Sequence, residues 1–287
     1  MKKIDFIDID DEGHLDTLSE NVDLHITSYP ELRIEKQKLI KAYRDYVSSN
    51  GNAWSIQQPN LSDKLKSGLL SHYNSPPVSV DYLESITDSS PEVCPMCGGF
   101  NPFSRDHILP KSDHQAWSIF SKNLVPACNC NSKRGSALKG ELGTGARILH
   151  PYFDDILLER LISCLITISP NNNFNFTVEI IYLDLAHSEI ASIKYHTENV
   201  VLKSGIEKWL RGQLSMLNNK PSNVIHTLDK NSKLTEVEVR GAIEDCLSRT
   251  DASTGTPNNW LSIFCHGLLN SEEISSWVTD RHNQTLV

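Results

Sequence analysis

The chain has 287 residues, of which 39% are hydrophobic and 22% charged, and carries a formal net charge of −9. That composition excludes collagen-like, low-complexity and disordered classes, and the length suits one large core or two to three small ones. The opening residues hold two lysines with no apolar run behind them, and no stretch approaches the roughly 18 apolar residues of a membrane span, so a cytoplasmic location is expected.

In chain order, residues 1–28 are acidic and weakly patterned. From Pro30 to Val47, Leu32, Leu39, Ile40, Tyr43, Tyr46 and Val47 recur near helical spacing, with Gly51 as a stop. A second helix is expected over Ser62–Tyr73, and a third short one over Val78–Ile86. After Pro91 short segments punctuated by Gly, Pro, Ser and Asn run to about Asp154. Beyond them, Leu161–Ile168 and Phe174–Tyr182 flank a Ser-Pro-Asn-Asn-Asn turn, and the alternation of Phe174, Phe176, Val178 and Ile180 predicts a β-hairpin. Helices are expected over Val200–Leu217, Leu234–Leu247 and Trp260–Leu269, the last capped by Asn258 or Asn259. Trp209, Trp260 and Trp277 fall on apolar helical faces and are expected in the core. There is no internal repeat.

Charge singles out the middle of the chain. Residues 98–147 carry 7 basic and 3 acidic side chains, against 9 and 16 in residues 1–97 and 11 and 17 in residues 148–287. A polyanion is attracted to such an island and weakly repelled by its surroundings. This island and the few residues before it hold four of the seven cysteines, as Cys94-Pro-Met-Cys97-Gly-Gly and, thirty residues on, Cys128-Asn-Cys130. In a chain with no export signal, paired cysteines point to metal before disulfide. Four thiolates satisfy a tetrahedral structural zinc, and Gly-Gly permits a tight knuckle. The second pair is C-x-C, a shorter loop that strains chelation by both sulfurs and leaves open whether both Cys128 and Cys130 bind; buried free thiols are the plainer alternative. Cys164, Cys246 and Cys265 stand in apolar surroundings and read as ordinary buried thiols.

Between the pairs lie Ser104-Arg-Asp-His-Ile-Leu-Pro-Lys111 and Ser121-Lys-Asn-Leu-Val-Pro126, and after them Asn131-Ser-Lys-Arg-Gly135. The order CxxC, Asp-His-Ile-x-Pro, Asn-Leu-x-Pro, Cys-Asn-x-Lys-x-Gly resembles the HNH nuclease family over Cys94 to Gly135. A looser likeness runs to bacterial HNH proteins with a helical arm before the core, some of them partners of ATPases in defence against phage. The resemblance implies a ββα-metal core that binds one catalytic cation and hydrolyses phosphodiesters.

Residue by residue, it implies that Asp106 and Asn131 bind Mg²⁺ or Mn²⁺, with Asn129 as an alternative to Asn131. His107 would be the general base, and Asn123 would tie the loop between the strands to the backbone near His107. Zn²⁺ on Cys94, Cys97, Cys128 and Cys130 would be structural. A hard cation prefers oxygen donors, and an imidazole near neutral pKa suits proton transfer, so these residue types fit the chemistry. Lys111, Lys133, Arg134, Lys139 and Arg147 are expected at DNA phosphates; His114 and His150 read as structural.

The expected architecture is α+β: a helical N-terminal arm (residues 1–90), a zinc-braced nuclease core (91–155) and a hairpin-plus-helices C-terminal domain (156–287) for regulation or partner binding. DNA is the expected partner, with an ATPase subunit supplied in trans as another. There is no P-loop lysine in Gly140–Gly145 and no G-x-S-x-G elbow. The rival readings are a catalytically silent zinc-knuckle module that binds DNA or protein, and an RNA-cleaving toxin.

Overall fold

The computed structural model describes residues 1–168 and 176–286. Helix α1 (Asp11–Glu20) begins where the Asp10 carboxylate accepts a bond from Gly13 N. It was not expected in the acidic opening segment, because Leu15 and Leu18 are its only buried apolar side chains. Packing against α2 (Glu31–Ser48) supplies what so thin a stripe lacks. Helix α2 buries Leu32, Leu39, Ile40, Tyr43 and Tyr46 along one face, with Pro30 just ahead of it and Gly51 in the left-handed region (φ +63°) after it. Ser62 caps α3 (Asp63–Asn74) through Leu65 N. The expected helix over Val78–Ile86 is split into a 3₁₀ turn (Val78–Val80) and α4 (Tyr82–Asp88).

Two short strands follow, β1 (Ser104–His107) and β2 (Leu124–Ala127), antiparallel with Asp106 opposite Val125 and His107 opposite Leu124. One and a half turns of helix, α5 (Cys130–Arg134), come directly after. The second sheet is the hairpin of β3 (Ile162–Ile168) and β4 (Phe176–Tyr182), in register from Ile162 with Tyr182 to Ile168 with Phe176. Its expected turn residues and Phe174 lie outside the described residues. The chain is thus α+β with two small antiparallel sheets among the described residues. No helix among them is long and apolar enough to cross a membrane.

Five helices complete the fold: α6 (Ile190–His196), α7 (Ile206–Asn219), α8 (Glu236–Thr254), α9 (Trp260–Leu269) and α10 (Glu272–Gln284). The single helix expected over Val200–Leu217 is interrupted, since Gly205 adopts φ +94° and α7 starts only after it. Helix α8 starts at a capping box in which Thr235 and Glu238 bond each other's backbone N–H. Asn259 caps α9 through Ser262 N. Asn258 is instead buried, accepting from Leu161 N and donating to Leu157 O and Glu159 O. Trp209, Trp260 and Trp277 are partly buried against the core.

Three apolar clusters result. One joins the β3–β4 sheet to α7–α10; a second joins α1–α4 to the loop between β1 and β2, including Trp117 and Phe120. The smallest lies between them and contains Cys94, Cys97, Cys130, Ile108 and Val125. Cys164, Cys246 and Cys265 are buried, as expected.

Two buried imidazoles stitch the clusters together. His196 of α6 donates from Nε2 to Met96 O and accepts Leu149 N at Nδ1. His150 accepts Tyr152 N at Nδ1 and donates from Nε2 to the Tyr46 hydroxyl of α2. Burial, which penalises the cation, lowers their pKa values to about 4 for His196 and about 3 for His150. An unfolded imidazole titrates near 6.5, so below that pH the unfolded chain takes up protons that the folded one refuses. Their contribution is therefore complete above about pH 6.5 and lost as pH falls toward the folded values. Urea unfolding should lose roughly 2–3 kcal/mol per imidazole between about pH 6.5 and 4.5. His150→Gln should flatten that dependence, and an unchanged pH slope would show that His150 does not cause it.

Candidate functional site

The two cysteine pairs meet between the clusters. Cys94 Sγ lies 3.6 Å from Cys130 Sγ and Cys97 Sγ 3.5 Å from Cys128 Sγ, and all four sulfurs fall within 4.8 Å of one another. Four sulfurs at about 2.3 Å from a tetrahedral ion stand roughly 3.8 Å apart, so the set fits zinc or a metal like it. The C-x-C loop does not push either thiol out, so all four expected ligands converge. Cys130 N donates to Cys128 Sγ and Cys128 N to Cys94 Sγ, each at 3.4 Å, so the short loop turns its amides toward sulfur and favours thiolate. On the other side Gly98 (φ +74°) lets its N–H return to Cys94 O at 2.8 Å. A Cβ at Gly98 would sit 2.2 Å from Asn258 O, so only glycine fits between the knuckle and the start of α9. Trp260 grips the same turn, its backbone N–H on Gly98 O and its indole N–H on Cys97 O.

Beside this cluster is a cavity of about 290 Å³ lined by Tyr73, Asp106, His107, Lys111, Asn131 and Arg134, among others. Asp106 and His107 are neighbours on a strand, where side chains alternate between the two faces. Both reach one cavity, because β1 ends at His107 and the cavity covers that end together with Pro110, Lys111 and Ser112 of the loop after it. Asn131 lines it from α5; Asn129 is exposed and does not.

His107 Nε2 is 2.9 Å from Ser118 O. A carbonyl only accepts, so the proton sits on Nε2 and Nδ1 keeps its lone pair. Nδ1 has no protein hydrogen-bond partner among the described residues. Burial lowers the imidazole pKa to about 3, and the charges of Lys111, Arg134 and Arg105 push the same way, so the ring is neutral near pH 7.

Asn123 holds Trp117, the residue before Ser118. The Asn123 amide accepts Leu109 N at 2.8 Å and donates to Leu109 O and Trp117 O, while its backbone carbonyl accepts Ile108 N. The Tyr46 hydroxyl donates to the same amide oxygen, extending the chain of bonds from His150 through Tyr46 to Asn123. Every polar atom of the fully buried Asn123 side chain is thus used for positioning.

Asp106 is buried and pairs with Arg134, whose Nη2 lies 3.0 Å from Oδ2. Burial outweighs that cation and raises the carboxyl pKa to about 6. Arg134 was expected to face phosphate, but its guanidinium is buried and also donates to His107 O, Ile108 O and Ala137 O. Arg147 is likewise committed internally, to both carboxylate oxygens of Asp154. Lys139 binds Ala53 O over the Trp54 ring, and Lys133 binds Ser204 O. Lys111 alone of the five lines the cavity without being buried, with Nζ 4.1 Å from the Tyr73 ring centroid and bonded to Asn74 Oδ1. His114 bonds Pro110 O beside Trp117 and is not in the cavity wall.

Sequence reasoning missed Tyr73. It sits at the end of α3 with its ring 4.3 Å from the His107 ring, edge to face, so the N-terminal helices supply one wall of the cavity. No local motif marks it, since one tyrosine at the end of a helix has no spacing signature.

No family model, no characterised protein and no solved structure matches the chain. The resemblance to HNH nucleases therefore rests on the sequence motifs.

Purified protein should hold one tightly bound zinc per chain by native mass spectrometry. Cys130→Ser should lose it together with the cooperative unfolding of residues near the knuckle, since structural zinc is worth roughly 10–16 kcal/mol in small peptides. A full-strength thermal transition in a zinc-free sample would refute a structural metal. Asn123→Ala, by leaving buried Leu109 N and the Leu109 and Trp117 carbonyls without their partner, should cost about 2–3 kcal/mol in urea unfolding.

Proposed function

We propose that the chain is a metal-dependent HNH endonuclease that hydrolyses DNA phosphodiester bonds. The observation that carries this reading is one cavity lined by Asp106, His107 and Asn131 beside a four-cysteine cluster, with the tautomer of His107 set by Ser118. The strand–strand–helix order of β1, β2 and α5 suits it too. A structural zinc belongs to the four thiolates.

Oxygens of Asp106 and Asn131 would hold Mg²⁺ or Mn²⁺, the residue types a hard cation takes. When bound, the cation neutralises charge on the non-bridging and leaving oxygens of the phosphate. His107 takes a proton from water at Nδ1, with the Nε2 bond to Ser118 O stabilising the imidazolium that forms. A pKa near 3 is low for a base working at neutral pH. The phosphodiester anion beside the ring corrects this, because an opposite charge favours the protonated form. Tyr73 packs against the ring and limits its rotation.

A catalytically silent binding module is favoured by one observation, the Arg134–Asp106 pair, which already neutralises the only carboxylate in the cavity wall among the described residues. Plasmid nicking separates the two readings. Wild-type protein with Mg²⁺ or Mn²⁺ should convert supercoiled plasmid to open circle, and His107→Ala should slow this by roughly 10²–10⁴ while its circular dichroism is unchanged. Cutting at the wild-type rate by His107→Ala would remove this histidine from the mechanism. Equal or faster cleavage of a matched RNA would replace DNA by RNA as substrate. Cleavage by neither wild type nor variant would leave the binding module.

A further inference from the structure

The charge of the cavity has an order of events built into it. Its wall contains a single carboxylate, Asp106, and that carboxylate carries its own counter-ion at 3.0 Å in Arg134. Arg134 is held by three backbone carbonyls besides, from both the end of β1 and the segment after α5, so it stays in place as a permanent part of the site. Lys111 adds a second positive charge at the wall. Arg105 adds a third close by, its guanidinium 5.3 Å from the Tyr73 centroid and anchored to Leu83 O and Thr87 Oγ1. His107 is neutral. The cavity is therefore positive before any ligand arrives.

Resting on the nuclease reading, we propose that a nucleic-acid phosphate enters this cavity first, received by Lys111 between the N-terminal helices and the core, and that the divalent cation binds only together with it.

The physical reason is a count of charges and donors. A small divalent cation that keeps several of its waters is usually held by one or two carboxylates plus substrate phosphates. Here the free protein offers one carboxylate already paired and one neutral amide, against two further cations within the same small space. Like charges so close repel a divalent ion. A phosphodiester reverses both deficits, since it brings negative charge and oxygen donors at once. Asn74 Oδ1 and the Tyr73 ring hold the Lys111 ammonium at the wall for that anion, so the helical arm is part of the phosphate site.

The test measures binding without cleavage, on full-length His107→Ala carrying its zinc. Free Mn²⁺ is followed by electron paramagnetic resonance during titration of the protein alone, of a short DNA duplex alone, and of both together. Mn²⁺ affinity in the mixture should exceed that in either component by at least about tenfold, within the usual range of coupling between two ligands. Because coupling is reciprocal, the duplex should bind with no Mg²⁺ or Mn²⁺ added, and tighten by the same factor with Mn²⁺. Lys111→Ala should weaken duplex binding with no Mg²⁺ or Mn²⁺ added and reduce the slope of log affinity against log salt by about one.

Saturable Mn²⁺ binding by the free protein as tight as in the mixture would overturn the inference, as would no duplex binding without added Mg²⁺ or Mn²⁺ or an unchanged salt slope in Lys111→Ala. Nicking by the wild type without this coupling sinks the binding order and leaves the nuclease. Coupling without nicking supports the order and sinks the hydrolase.

Discussion

Four sulfurs brought within reach of one ion are the constraint on which the site depends. Cys94 and Cys97 precede β1, Cys128 lies between β2 and α5 and Cys130 opens α5, so their convergence closes a loop of chain whose ends would otherwise separate. Asn131 follows Cys130 directly, and Arg134 stands one turn further on, so wherever the thiols go these side chains go too. A two-stranded sheet with four residues in each strand has too little core to hold such a placement by itself. The metal-binding cluster and the flanking helices supply what the hairpin lacks.

Those flanks are built into the site as well as around it. From the N-terminal side, Tyr46 reaches Asn123, and Tyr73 stands against His107. From the C-terminal side, His196 bonds Met96 and Trp260 bonds Cys97 and Gly98, so α6 and α9 grip the knuckle from behind. A shift of either flank would be felt at the imidazole or at the thiols. This gives the long segments outside the motif a physical role in holding the cavity and the thiols in place.

Electrostatics set the character of the cavity through competition between burial and pairing. Asp106 is paired yet has a raised pKa, so the cost of taking the carboxylate out of water exceeds what one arginine returns. His107 is kept neutral by the same burial, with three cations reinforcing it. A site with a neutral imidazole and a pre-paired carboxylate is poised for an incoming anion rather than for a bare cation.

Much of this was legible in the residues. The cysteine spacing, the hairpin of β3 and β4 and the bounds of α2, α3 and α9 follow from local chemistry: metal-ligand spacing, alternation, caps and helical periodicity. Helix α1 was not legible, because its apolar stripe is two leucines and its stability comes from α2. The break at Gly205 was not, because a single glycine within an apolar run is also tolerated in a helix.

The sequence by itself determined which residues could do chemistry, since identity and short-range spacing specify what a side chain can donate, accept or ligate. Only the tertiary structure decided which of them are available. Five cations near the motif look alike in a one-dimensional reading, yet Arg134 and Arg147 are committed to internal acceptors while Lys111 faces the cavity. Tyr73 enters the site from more than thirty residues before His107. Burial and long-range pairing are properties of the packed chain, and no local pattern encodes them.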